Sequence, residues 1–451
     1  MRTIVRFLFL ALSLGVIAGA AGCGTATTPA PQATTAAPTQ ASQPASQPVT
    51  IRVLTMDQAA MTTDEMNSVA TEFMAANPNI KVEMEYVSYD SLHDKFTTAM
   101  ATNPPPYDVI MVDVIWYPEF VKAGYLADVS DKITPDMRSN AFKTAWNVTT
   151  VNGKVYGMPW LLDTKYLYYN EKLLKQAGFD NPPKTWEELA QQAKVIKDKK
   201  IVDYPIVWSW SQAEAAICDF TAMVYGNGGR FVDDQGKPVF NNAQGVGALT
   251  WMVQSLDNGV SNPASLTDLE EDVRNVFSSG KAVFATNWLY MYDLANNSAK
   301  DSQVTGQVKM TTMPVFDSVA KTGLKSASVD GSSGFSVVAT SAHKDAAWAY
   351  VQFLTSEQTQ MKYSLHQLPI WSSSYTGDSL QKLLGISPAN QVTVPMFKEQ
   401  FQYANVRPTI PYYMEGSKAL QLALQQALSK QKTPQQALDD AAAKWNQLGS
   451  K

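Results

Sequence analysis

Residues 50–116 read TIRVLTMDQAAMTTDEMNSVATEFMAANPNIKVEMEYVSYDSLHDKFTTAMATNPPPYDVIMVDVIW, and their periodicity sets the fold class. Ile51 to Leu54 is a short apolar run of strand type. Thr62-x-x-Glu65 then has the form of a capping box ahead of Met66, Val69, Ala70, Phe73 and Met74, which recur at helical spacing. Asn77-Pro78 stops that helix, and Lys81 to Tyr86 alternates charged residues with Val82, Met84 and Tyr86, the period of a strand. A second helix is expected over Ser91 to Ala101. Val109 to Val112 has no polar alternation, as in a strand buried on both faces. The order β-α-β-α-β predicts an α/β protein with a mostly parallel sheet.

Working outward, the same alternation resumes downstream. Thr185-x-x-Glu188 opens a helix expected to reach Lys197, and short strands are predicted at Pro205 to Trp208 and Lys281 to Thr286. The end of the chain predicts helices over Ala346 to Leu354, Glu415 to Ala427 and Thr433 to Leu448. The roughly 400 residues after Val49 are too many for one hydrophobic core and suit two lobes.

Toward the start, Arg2 and Arg6 precede the mostly apolar run Phe7 to Ala21, too short to span the ~30 Å hydrocarbon layer as a helix. Residues 1–22 read as a signal peptide. Ala20-Ala21-Gly22-Cys23 resembles the lipobox of bacterial lipoproteins, with Ala20 where Leu is usual, and this resemblance implies lipidation of Cys23. Residues 23–49 hold five prolines and no charge, a composition that cannot offset its ordering entropy and predicts a disordered linker. The expected location is outside the cytoplasm, at the cell surface or in the periplasm, tethered to the membrane by that lipid.

Charge excludes one class of partner. Without Arg2 and Arg6, 34 basic residues face 41 acidic ones, a formal net charge of −7, and no basic cluster suits a phosphate backbone. No nucleic acid is expected. Cys218, the only other cysteine, lies in Ala-Ala-Ile-Cys-Asp-Phe and reads as a buried small hydrophobe.

Enzymatic motifs are poorly represented. His93, His343 and His366 are the only histidines and form no H-E-x-x-H pair, and Gly331-Ser332-Ser333-Gly334 lacks the G-x-S-x-G spacing. Paired carboxylates of the glycosidase kind leave no sequence signature, because their separation is set in three dimensions. The chain is instead rich in aromatics in loop-like contexts, including Trp116, Trp160, Tyr168, Trp208, Trp210, Trp288 and Tyr413. A flat ring suits the C–H face of a pyranose, and neighbouring carboxylates and guanidinium groups suit vicinal hydroxyls. For each ring the competing reading is core packing. Asp113 and Trp116 fall beyond the carboxyl end of a buried parallel strand, the usual ligand edge of an open α/β sheet, and Asp113 reads equally well as an N-cap.

Gly153 to Pro159 fits G-x-x-Y-G-x-P, Tyr168-Tyr169-Asn170 precedes Leu173-Leu174 and Gly178, Gly280-Lys281-Ala282 leads to Trp288, and Arg407 to Tyr413 fits R-P-x-x-P-x-Y. In these elements the chain resembles the extracellular solute-binding proteins of sugar ABC importers, in the maltose/trehalose-binding branch of family 1. The resemblance implies a periplasmic-binding-protein-like fold of two α/β lobes joined by a hinge of crossing segments, near Pro159 to Tyr166, Ser328 to Phe335 and Gln367 to Trp371. It implies residues 50–162 and 334–367 in the first lobe, and 163–333 and 368–451 in the second. It further implies that Asp113 and Asp163 bond sugar hydroxyls, that Trp288 stacks on a ring, and that Arg407 clamps from the far side. Trp116, Tyr168 and Gln58 are implied more weakly. Gly331 and Ser333 belong to a Gly-Ser-Ser that stands where the family commonly has Gly-Gly-Trp, so a polar or longer ligand group is expected there.

The expectation is therefore a monomeric, lipid-anchored receptor that takes a mono- or oligosaccharide by hinge closure and delivers it to ABC permease subunits, with no catalysis, cofactor or metal. Two alternatives stand beside it: capture of ferric ion or a metal complex through adjacent tyrosines such as Tyr168-Tyr169, and an anchored glycoside hydrolase.

Overall fold

The computed structural model describes residues 48–450. The expected signal peptide, Cys23 and nearly all of the expected linker lie outside the described residues.

The opening segment forms the elements its periodicity predicts, each a residue or two from the expected bounds. Strand Val49–Met56 is followed by helix Thr63–Ala76, strand Ile80–Val87, helix Tyr89–Ala99 and strand Val109–Asp113. The Thr62–Glu65 capping box is formed, and Asn77 caps the other end of the helix. The three strands are parallel, with 49–56 in the middle. The chain thus leaves the central strand first to one side and then to the other, and a crevice opens at the carboxyl ends of 49–56 and 109–113. Gln58 and Asp113 sit there because of that order. The sheet is completed by Ser333–Val337, antiparallel to 109–113, and Met158–Leu161 beyond it. Val109 to Val112 are buried on both faces, as the unbroken apolar run predicts.

A second sheet has the order Val308–Thr311, Tyr166–Asn170, Phe284–Asn287, Ile206–Val207, with only the last pair parallel. Helices Trp186–Asp198, Glu214–Gly226 and Glu270–Ser278 belong to this half. Trp186, Trp208, Trp210 and Trp251 pack together, Trp208 on Trp210 face to face at 4.8 Å between centroids. Trp160, Trp208 and Trp210, counted among the ring candidates, are thus core residues.

Two segments carry the chain between the sheets side by side. The run from Leu161 to Tyr166 lies antiparallel to Ser328–Asp330, with Thr164 opposite Asp330. Gly331 N donates to Asp163 O at 3.0 Å. Thr164 Oγ1 donates to Val329 O at 2.7 Å, and Ser328 Oγ to Lys165 O at 2.8 Å. The stretch Gln367 to Trp371, expected as a third crossing, is held against the first half: Trp371 bridges to Ala141, and Phe142 N donates to Ile370 O. The return runs later, through helix Asn390–Gln400, whose Gln400 accepts from Met313 N, and strand Ala404–Val406, which pairs with Ser328–Asp330. The expectation came from the family resemblance alone, since residues 367–371 carry no strand period of their own. Helices Tyr413–Leu428 and Pro434–Gly449 then pack on each other.

Candidate functional site

The two crossing segments bring together residues that are hundreds of positions apart. Asp113 ends its strand, and its Oδ1 accepts from Ile115 N at 3.2 Å, so it caps the turn before helix Tyr117–Lys122 rather than the helix itself. The same carboxylate takes Tyr89 Oη–H at 2.8 Å and two contacts from Arg407 Nη2, at 3.2 and 3.4 Å. Arg407 comes from the loop after Ala404–Val406 and is 2% exposed. Its Nη1 donates to Glu214 Oε1 at 2.8 Å, and Glu214 also accepts from Tyr413 Oη and Ser417 Oγ. A guanidinium thus lies between a carboxylate of the first sheet and one from helix Glu214–Gly226, the arrangement that makes burial of its charge tolerable. Arg407 Nε has no partner among the described residues.

Asp163 lies in the first crossing segment. Thr164 N donates to its Oδ1 at 2.8 Å, yet burial outweighs this and the nearby Leu289 amide, and its carboxyl is pushed up to about 8, with Asp330 adding like-charge repulsion. Asp330 is also raised, by burial first, and accepts from Ser332 N at 2.9 Å.

Trp288 follows strand Phe284–Asn287 and is half-buried. Its Nε1 donates to Glu270 Oε1 at 3.3 Å, and Lys165 Nζ sits 5.4 Å from the ring centroid. A Cβ on Gly331 would come within 2.4 and 2.5 Å of Trp288 Cζ3 and Cη2, so the absent side chain at 331 lets the ring lie where it does. Lys165 is fully buried and pairs with Asp219 at 3.0 Å and Glu270 at 3.8 Å.

Asp113, Asp163, Trp288, Arg407 and Gly331 therefore share one region. Ser333 joins them: it pairs in register with Asp113 and Leu161, and cross-strand partners project to the same face. Its hydroxyl and that of Ser332 have no partner among the described residues. Three other residues take supporting positions. Tyr168 is fully buried and its hydroxyl donates to Trp288 O at 2.7 Å, fixing the backbone that carries the ring. Trp116 is fully buried and stacks on Tyr89 at 5.3 Å. Gln58, half-buried, directs Nε2 at Met111 Sδ, 3.8 Å away. Tyr168 and Tyr169, the basis of the ferric alternative, are successive residues of one strand and project to opposite faces.

Sequence reasoning missed Glu214, Lys165, Asp219, Glu270, Asp330 and Tyr89. A signal existed for one of them: Asp219 is a charge inside the otherwise mostly apolar run Ala215 to Val224, and such a charge is buried only when paired. Cys218, beside Asp219, is buried as expected, and burial pushes its thiol up to about 12, which leaves it unreactive. Among the described residues no group of three or more His, Cys, Asp or Glu is placed to hold a metal ion, and no helix is long and apolar enough to cross a membrane.

Comparison with known proteins agrees with this architecture. Residues 59–361 match the family model of bacterial extracellular solute-binding proteins. A probable ABC transporter-binding protein of Deinococcus radiodurans is 32% identical over 345 residues, 73% of this chain and 77% of that one. Maltose-bound MalE3 of T. maritima superposes with a TM-score of 0.80 at 28% identity, covering 89% of this chain and all of the other. A solute-binding protein of Thermotoga lettingae bound to α-D-tagatose gives 0.76 at 26% identity, covering 88% and 99%. The fold is the two-lobed α/β fold of periplasmic binding proteins, with crossing segments between the lobes.

Proposed function

Because this chain belongs to the bacterial extracellular solute-binding protein family and is a solute-binding component of an ABC transporter, we propose that it captures a mono- or oligosaccharide between its lobes and delivers it to permease subunits. The observation that carries the reading is the half-buried Trp288 ring, oriented by Glu270 and Lys165, in one region with Asp113, Asp163 and Arg407. The ring supplies an apolar platform, and the acids and the free Nε of Arg407 supply hydrogen-bonding groups. The maltose and tagatose held by the two Thermotoga proteins are of this ligand class.

Hinge closure follows from where these groups come from. Asp113 and Ser333 belong to the first sheet, whereas Trp288, Glu214 and Arg407 come from the other half. A sugar that touches both sets interacts fully only when the halves meet, so it shifts the population toward closure, the general behaviour of periplasmic binding proteins. The lobes are residues 50–162 with 334–367, and 163–333 with 368–451, the stretch 368–375 remaining packed on the first. The chain works as a monomer outside the cytoplasm, after removal of residues 1–22, with Cys23 lipidated and residues 23–49 serving as the tether. It binds without turnover, in keeping with the transport-binding role of its family and relatives.

Calorimetric titration of the purified receptor against mono-, di- and oligosaccharides and polyols tests the reading. Binding of at least one with unchanged ligand recovered afterwards is expected. Failure of every member to bind, or release of cleaved sugar, overturns it.

A further inference from the structure

The two halves also meet away from the Asp113–Arg407 pair, on both flanks of the first sheet. The chain passes from strand 49–56 outward to 80–87 and then back across it to 109–113. Right-handed crossovers in opposite directions put helices Thr63–Ala76 and Tyr89–Ala99 on opposite faces of that sheet. His366 belongs to the flank of the first of these helices. Lys362 Nζ and Tyr363 Oη both donate to Glu72 Oε1 of that helix, at 2.6 and 2.7 Å, and Gln367 Nε2 is directed at Met61 Sδ, 3.5 Å away. His366 is thus tied to the first half by its neighbours on either side.

Its partner comes from the other half. Asp293 lies in helix Met291–Asn296, which follows Trp288 and packs on strand Val308–Thr311 of the second sheet. Asp293 Oδ2 stands 3.0 Å from His366 Nε2, and Oδ1 accepts from Asn297 Nδ2 at 2.7 Å. Burial works to raise the Asp293 carboxyl, yet the hydrogen bonds from His366 and Asn297 outweigh it and hold the group below its ordinary range. The His366 and Asp293 side chains are 11% and 15% exposed, so the pair is screened far less than one at the surface. On the opposite face, Lys418 Nζ of helix Tyr413–Leu428 lies 3.5 Å from Asp94 Oδ2 of helix Tyr89–Ala99, but those side chains are 61% and 63% exposed, and such a pair holds little.

We propose that Asp293 and His366 are positioning residues that latch the halves together on one flank of the cleft, so that protein contacts alone populate the closed arrangement and a ligand completes it. The proposal rests on the hinge closure described above and is independent of which solute is bound. A pair that forms only when the halves meet biases the open and closed populations in the same way as a ligand that bridges them.

Small-angle X-ray scattering of the purified receptor without sugar reads the latch directly. Asp293→Ala and His366→Ala are each expected to raise the radius of gyration above that of the parent, and the double variant no further than either single one, with helix content unchanged by circular dichroism. The exchange of Asp293→His with His366→Asp is expected to restore the parent value. Lys418→Ala, which removes only the exposed pair, is expected to scatter as the parent does. Parent dimensions in both alanine variants overturn the proposal. Unfolding of both Asp293→Ala and the isosteric Asp293→Asn also overturns it, because the pair is then a support of the fold and not a latch. Expansion in the alanine variants, with no sugar bound by any member of the calorimetric panel, leaves the latch standing and overturns the carbohydrate reading; sugar binding with parent dimensions does the reverse.

Discussion

Raising the pH should weaken the folded state through Asp163, and the effect has a sign opposite to that of an ordinary salt-bridged carboxylate. In the unfolded chain this group titrates near its ordinary value of 3.8, whereas in the folded protein burial pushes it up to about 8. A carboxyl held more tightly in its protonated form by the folded state contributes stability that is fully present below the unfolded pKa and is lost as pH rises through the folded one. Each pH unit inside that window costs about 1.4 kcal/mol, so moving from about pH 5 to about pH 7.5 removes about 3 kcal/mol from this group alone. Other carboxylates contribute in the opposite direction, so the comparison needs Asp163→Asn, which keeps the shape and loses the titration. Urea unfolding of both proteins at the two pH values, at matched ionic strength, isolates the term. The stability of the variant relative to the parent should improve by about 3 kcal/mol across the interval. Parallel pH profiles, with a constant difference between the two proteins, would refute the reasoning and place Asp163 in contact with solvent or an unrecognised cation.

Other outcomes follow from the same geometry. Trp288→Ala should weaken sugar binding by about 1–3 kcal/mol, by analogy with base stacking on aromatics, with the fold intact by circular dichroism; unchanged affinity in a calorimetric titration would remove the ring from the site. Gly331→Ala places a methyl 2.4 Å from Trp288 Cζ3 and must displace the ring, which should cost about 1–3 kcal/mol of stability in urea unfolding and weaken ligand binding in the same titration, whereas Gly385→Ala, with nothing within 4 Å, should be silent in both. Arg407→Ala leaves Asp113 and Glu214 buried without their cation and should destabilise the protein by about 3–5 kcal/mol in urea unfolding. Adding Asp113→Asn and Glu214→Gln to Arg407→Met should recover most of that loss, because the charges to be compensated are gone.

Much of the first half could be read from residues 50–116 alone. Capping boxes, helical spacing and strand alternation depend on neighbours within four positions: Thr62–Glu65 and Thr433–Gln436 form both halves of the box, and Thr185 caps its helix by accepting from Glu188 N while the Glu188 carboxylate takes Lys184 N instead. Asp113 was legible for a related reason: the parallel order of the strands fixes which end faces a crevice. The short strand expected at Pro205 to Trp208 is formed at Ile206–Val207, whereas the crossing implied near 367–371 is not there, because those residues carry no strand period and Trp371 bridges to Ala141 in the first half.

The order of residues was enough to set the local elements, the α/β class, the acidic balance and the side chains chemically able to meet a sugar. Tertiary structure alone decided which of them meet. Arg407 pairs with Asp113 across 294 positions, Trp288 rests against Gly331, and Tyr168 and Trp116 turn out to support the site from within the core. Burial and partner choice are properties of the packed chain: the Asp163 carboxyl is pushed up to about 8 from its ordinary value of 3.8 because folding removes the water around it and fixes its neighbours.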